Sequence, residues 1–261
     1  MKRTLMLIVI LTLFVGLFAE KQLSVRDFEL QIWQLTNVER QNAGLPLLKY
    51  EDGLFGIAKR HSTNMHELGF FAHRDPFGDE VESRKDKYYP ELIVVAIGEN
   101  LGRFVNNSGN FRAREVVDAW MSSPAHKDNI LDKEYSHTGV AVVIRDGVMY
   151  ATQVFATPLA KLTSRIPNKL KNKSKCKLTF EYMADLDVDY FTATLLYPDS
   201  KQVFRLNENQ EMIGAQPLKP KWLDKKRFQV QVPFLAGQGD YRLCFGFAGN
   251  YFPKGIALKV N

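Results

Sequence analysis

Four short segments, FFAHRDP, IGENLG, REVVDAWM and SSPAHKDNIL, set His73, Glu99, Glu115 and His126 within one stretch of the chain. Imidazole and carboxylate groups ligate a borderline metal such as zinc, and they exchange protons near neutral pH. No other part of the chain gathers such groups in comparable local order. Two chemistries are open. The histidine pair can hold a divalent ion while a glutamate orients an imidazole from behind. Alternatively, Glu99 or Glu115 can deprotonate a metal-bound water. The HExxH signature of hydrolytic zinc sites is absent. Ser122 and Ser123 stand before Pro124 and His126 without a nucleophile-elbow pattern, so they read as a helix-end turn.

Helical spacing of Phe28, Ile32, Leu35 and Val38 predicts a helix over 24–42, capped by Ser24 or Asp27 and ended by Gly44 and Pro46. A second helix is expected over 51–68, with His61 on its apolar side and Gly69 as its stop. A loop then carries His73. Residues 80–88 are highly charged and read as a short helix or a mobile loop. The Gly98 and Asn100 neighbours of Glu99 suggest a tight loop there. Residues 111–122 form a helix around Val116, Val117 and Trp120. Runs at His137–Arg145 and Val148–Thr157 flank Asp146-Gly147, a strong two-residue hairpin signal. Helices followed by a hairpin fit a layered α+β unit.

The rest of the chain differs in kind. Residues 20–160 hold 16 Lys and Arg against 20 Asp and Glu, net −4; residues 161–261 hold 17 against 9, net +8. The basic excess is sharpest at 161–177, KLTSRIPNKLKNKSKCK, which reads as a solvated connector or as a patch for an anionic surface. Strand-like runs follow at 175–183, 190–197, 201–206, 227–232, 240–248 and 255–260, as in a small antiparallel β-sandwich of immunoglobulin-like type. Cys176 is in phase with Leu178 and Phe180, whereas Cys244 is out of phase with Leu243 and Phe245, which weakens the case for a disulfide. At the other end, Met1-Lys2-Arg3 and the apolar run Leu5–Phe18 read as a secretory leader ending at Ala19. Leu17 is larger than cleavage normally requires, so an uncleaved membrane tether is the alternative. Export makes nucleic acid an unexpected partner, and no stacking motif accompanies the lysines. The expected plan is a leader at 1–19, an α+β domain at 24–158, a basic linker at 159–176 and a β-sandwich at 177–261.

The ordered blocks LTNVERQNAGLPLL, AKRHSTNM, FFAHRDPFG, GENLG, EVVDAWMSSPAHKDNIL, YSHTGVAVV and YATQVFA resemble the CAP superfamily of cysteine-rich secretory proteins, antigen 5 and pathogenesis-related 1 proteins, in its bacterial SCP-like branch. The resemblance covers roughly 28–157 and says nothing about 161–261. It implies an α-β-α sandwich with a central cleft. It also implies that His73 and His126 are the metal pair, for Zn2+ or another divalent ion, with Glu99 and Glu115 beside them. His61, Asn100 and Gln153 are second-rank cleft candidates; no organic cofactor is implied. The eukaryotic cysteine-rich tail and core disulfides are missing here, so functions tied to them do not transfer.

Three functions compete. The first is an exported binding module of the cell envelope whose cleft holds a lipid, glycan or peptide, with or without metal. The second is a metal-assisted peptidase using Glu99 or Glu115 as base. The third is a spacer whose β-sandwich makes the interactions. Non-catalytic binding is preferred, because two histidines fall short of the three protein ligands usual in catalytic zinc sites.

Overall fold

In the computed structural model residues 24–208 and 210–261 are described, so the expected leader at 1–19 lies outside the described residues. Helix α1 (Val25–Asn42) starts at a capping box in which Ser24 and Asp27 satisfy each other's backbone N–H groups. Its buried Arg40 donates to the carbonyls of Pro46, Ile130, Asp132 and Tyr135, tying the loop after α1 and the segment from Ile130 to Tyr135 to one guanidinium. Then come β1 (Lys49–Tyr50), α2 (Asp52–Glu67), α3 (Val81–Tyr88), β2 (Leu92–Val105), α4 (Ala113–Met121), α5 (Pro124–Leu131), β3 (His137–Arg145) and β4 (Val148–Leu162). The strands pair in the order β1-β3-β4-β2, with only β1 and β3 parallel. The expected hairpin is present, and Asp146 and Gly147 both take positive φ, 51° and 72°, as a primed turn requires.

Alternation along the strands sorts side chains to opposite faces of this sheet. Val140, Val142, Ala151 and Phe155 pack under α1 and α4 with Phe28, Ile32, Val117 and Trp120. Ala141, Val154 and Ala156 pack under α2 with Leu54, Ile57 and Ala58. The unit is therefore α+β with helices on both faces of the sheet. Helix α2 lies directly on β3 at Gly139, where an added Cβ would run into the backbone of Leu54 and Phe55. Gly139→Ala is expected to cost about 1–3 kcal/mol through overpacking, read as a shift in urea midpoint. An unchanged midpoint would mean that α2 can lift off without penalty.

Nine further strands follow: β5 (Ser174–Tyr182), β6 (Phe191–Leu196), β7 (Val203–Asn207), β8 (Gln210–Ile213), β9 (Ala215–Leu218), β10 (Lys221–Trp222), β11 (Arg227–Phe234), β12 (Gly239–Phe247) and β13 (Ile256–Val260). One sheet, β13-β12-β6-β9, faces β5 and β11 across a core rich in aromatics, with Phe180, Phe191, Phe228 and Phe245 in mutual ring contact. Both cysteines are free and buried, and burial pushes each thiol up to about 11.

The two halves are not joined by a loose connector. Strand β4 runs past residue 158, and its Ala160–Leu162 pairs with Phe180–Tyr182 of β5. Ile93, Leu159 and Ala160 share a buried cluster with Leu178 and Phe180. Only residues 163–173 of the expected linker lie between strands, and Leu170 among them is buried and bridged to Val260. Ion pairs from Lys49 to Asp185 (2.6 Å) and from Lys254 to Glu82 also cross between the acidic and basic halves.

Candidate functional site

Gly69, at φ 67°, turns the chain out of α2 into the loop that carries His73. Asp75 folds this loop by accepting from the backbone N–H groups of Phe77 (3.0 Å) and Asp79 (2.9 Å). The loop is fixed from behind by Arg84 of α3. This guanidinium is fully buried and donates to the carbonyls of His73 (2.9 Å) and Asp79 (2.8 Å). Its second nitrogen donates to both carboxylate oxygens of Glu99, at 2.9 and 2.7 Å. Glu99 in turn accepts from Nδ1 of His73 at 3.0 Å. A carboxylate only accepts, so Nδ1 carries the hydrogen and Nε2 keeps the lone pair. The His73 side chain is 57% exposed, against 2% for Glu99.

These contacts set the charges. Burial pushes the Glu99 carboxyl up, but His73, Arg84 and His61 together outweigh it and hold it below the ordinary carboxylate range. The Glu99 hydrogen bond raises His73 above the usual imidazole value, against the opposing effect of burial. Glu99 is thus held toward its ionised form as an orienting group, with both oxygens hydrogen bonded. That arrangement matches the second of its expected roles poorly, since a general base must be able to take up a proton.

Glu99 does not sit in a tight loop. It lies within β2, opposite Val154 of β4. Gly98 is there because the Tyr135 hydroxyl presses against it; a Cβ would collide. Asn100 is fully buried and donates to the His126 carbonyl (2.9 Å), while Asn129 donates to the Asn100 side chain (2.9 Å) and to the Glu99 carbonyl (3.3 Å). The two amides staple α5, with His126, to the strand that carries Glu99. Burial lowers the His126 pKa, and the charge of His73 lowers it further. Helix α5 itself begins with Pro124 in its first turn, which suits a missing N–H.

Residues 33–155 match the model of the CAP family, the cysteine-rich secretory protein family. This part of the chain belongs to the CAP family. The uncharacterized protein YkwD of Bacillus subtilis is 33% identical over 121 residues, 46% of this chain and 44% of that protein. The chain spans less than half the length of the curated relatives it matches. Two solved structures are similar. An outer surface protein of Borrelia burgdorferi has 20% identity and a TM-score of 0.46, covering 52% of this chain and 96% of its own. An extracellular SCP-domain protein of Bacillus anthracis has 25% identity and a TM-score of 0.43, covering 51% and 41%.

Within the CAP domain Glu115, His61 and Gln153 make no hydrogen bond to His73 or His126. Glu115 is exposed in the first turn of α4, and its side chain makes no hydrogen bond or ion pair among the described residues. His61 and Gln153 are sealed from solvent and do not line an open cleft. The His61 Nε2 donates to the Ala72 carbonyl (3.0 Å) and lies 3.9 Å from Glu99, so it braces the residue before His73; burial lowers its pKa against the opposing charge of Glu99. Gln153 donates to Thr36 on the α1 side of the sheet (3.2 Å). Among the described residues, no group of three or more His, Cys, Asp or Glu is placed to hold a metal ion. Grooves of about 610 Å³ (Lys49, His137, Met183 to Val188) and about 520 Å³ (along Lys59 and Arg60) contain none of the four candidates.

Proposed function

We propose that the CAP domain is a binding module whose His73 and His126 imidazoles capture a divalent cation, zinc foremost, and with it a ligand of the cell envelope. One observation carries this reading. His73 is held at Nδ1 by a buried Glu99 that Arg84 locks in place, which leaves its Nε2 lone pair free on a side chain that is 57% exposed and whose charge is felt at His126. A carboxylate behind an imidazole is the usual arrangement behind a metal-binding histidine. The donor set therefore fits a borderline cation, with ligand or water completing the shell. Bound zinc would supply Lewis acidity toward a carboxylate, carbonyl or phosphate oxygen of the ligand.

Metal-assisted hydrolysis is the second reading. Its weakness is the base: Glu99 is engaged on both oxygens, which leaves exposed Glu115 as the free carboxylate. The proposal extends to the chain ends, with a leader at 1–19 for export and an immunoglobulin-like sandwich at 177–261 for docking.

Tag-free protein titrated with zinc is the test. Near-stoichiometric uptake is expected in wild type and in Glu115→Gln, and loss in the folded His73→Ala/His126→Ala variant. Equal uptake by that variant, or none by wild type, removes the metal reading. Peptide or ester turnover that chelators and Glu115→Gln both abolish would favour the hydrolase.

A further inference from the structure

The basic segment carries lysines at 169, 171, 173, 175 and 177, every second residue, and all five are exposed. None makes an ion pair with a described residue, and the sequence has no Asp or Glu from 162 to 180. Of the residues between them, Leu170 and Cys176 are buried, whereas Asn172 is exposed. Lys175 and Lys177 project from the outer face of β5, about 6.6–6.8 Å apart by strand geometry. The neighbouring strand β11 sets Gln231 opposite Lys177 and Gln229 opposite Thr179, the last two hydrogen bonded at 3.1 Å. Glu181, the sole carboxylate of these two strands, faces Arg227.

We propose that this outer face of β5 and β11, with the 169–177 lysines, docks a linear phosphodiester polymer of sugar or polyol units. The site is independent of the His73–His126 cleft. Unpaired ammonium groups so dense along one segment suit the repeated phosphates of such a chain. The adjoining Gln and Thr side chains offer hydrogen bonds to hydroxyls between the phosphates. A nucleic acid would lack its usual platform, because no aromatic side chain points outward from these strands. A membrane would find no apolar side chain there to insert except Pro233.

The probe is poly(glycerol phosphate), with binding followed by full-length protein titration over a salt series. Wild type should bind with an affinity that falls as salt rises. Lys171→Gln/Lys175→Gln/Lys177→Gln should reduce the slope of log affinity against log salt by roughly 2, taking a flexible single strand as the guide. These side chains are exposed, so unchanged circular dichroism and zinc uptake should show the variant folded. A charge-matched control, Lys127→Gln/Lys133→Gln/Arg145→Gln, should keep most of the binding. The proposal is overturned by no wild-type binding at low salt or by equal loss in the control. Tighter binding to phosphatidylglycerol vesicles or to single-stranded DNA than to the polymer also overturns it.

Discussion

Arg84→Met should destabilise the protein by about 3–5 kcal/mol, the cost of stripping one partner from a buried ion pair. The substitution leaves the buried Glu99 carboxylate without its two-toothed partner and deprives the His73 and Asp79 carbonyls of their donor. Met fills similar space, so the loss reports the charge and hydrogen bonds more than a cavity. The pH dependence has a definite sign. In wild type Glu99 titrates below its unfolded value of about 4.3, so its pairing stabilises the fold above that pH and is lost as pH falls through the folded value. Without Arg84, Glu99 keeps the His73 hydrogen bond but loses one of the groups that offset burial, so its pKa should rise from the wild-type position. The deficit of the variant should therefore be largest near neutrality and shrink on acidification as Glu99 protonates. Urea melts across pH measure this. Adding Glu99→Met should recover much of the stability, giving a strong coupling in the double-mutant cycle, without restoring zinc capture. A neutral-pH cost under about 1 kcal/mol, or no coupling, would mean the pair does not organise this loop.

What the sequence made legible follows from how each element is buried. Helices α1 and α2 are amphipathic with regular caps, so their limits were readable to within a residue or two. The Asp146-Gly147 turn was readable because only small or polar residues tolerate its φ values. Strand β2 was not readable. It is covered on both faces by helices and carries Gly98, Glu99, Asn100 and Gly102, so neither alternation nor an unbroken apolar run marks it. Helix α5 was hidden in the same way: Pro124 and a weak apolar face looked like a turn.

The candidate site was legible as residues but not as a network. His73 and Glu99 were found by type and local pattern, and the structure joins them at 3.0 Å. Arg84 was missed because it lies in VESRKDKY, where a single sequence offers no reason to prefer it over Lys85 or Lys87. A charge run normally marks a solvated face; here one guanidinium turns inward, because a carboxylate and two carbonyls converge on it. Asn129 escaped for a related reason, since its partner lies 29 residues away on another element. The break between the halves was overread. The charge asymmetry is present in the chain, but β4 carries its hydrogen bonding through the boundary, and no compositional shift reveals a shared strand.

Zinc affinity is expected to fall with acid in two stages, and their order follows from the two histidine environments. Imidazolium cannot ligate, so each protonated histidine adds a proton that metal must displace. His73 titrates above the ordinary imidazole value because of Glu99, with Arg84 opposing and Glu80 assisting; His126 titrates below it because of burial and the charge of His73. Above both values the affinity should be flat. Between them only His73 competes, and affinity should drop about tenfold per pH unit; below both it should drop about a hundredfold. Glu99 stays ionised throughout this window, because its pKa is held below the ordinary carboxylate value. Competition titrations from about pH 8 to about pH 5 span the range in which imidazole changes charge. His126→Ala should retain only the shallow limb. Glu99→Gln should shift the first bend toward acid, since His73 loses the group that raises it. A wild-type profile that stays flat across this range would show that neither imidazole nitrogen is a ligand, whatever else on the chain takes up zinc.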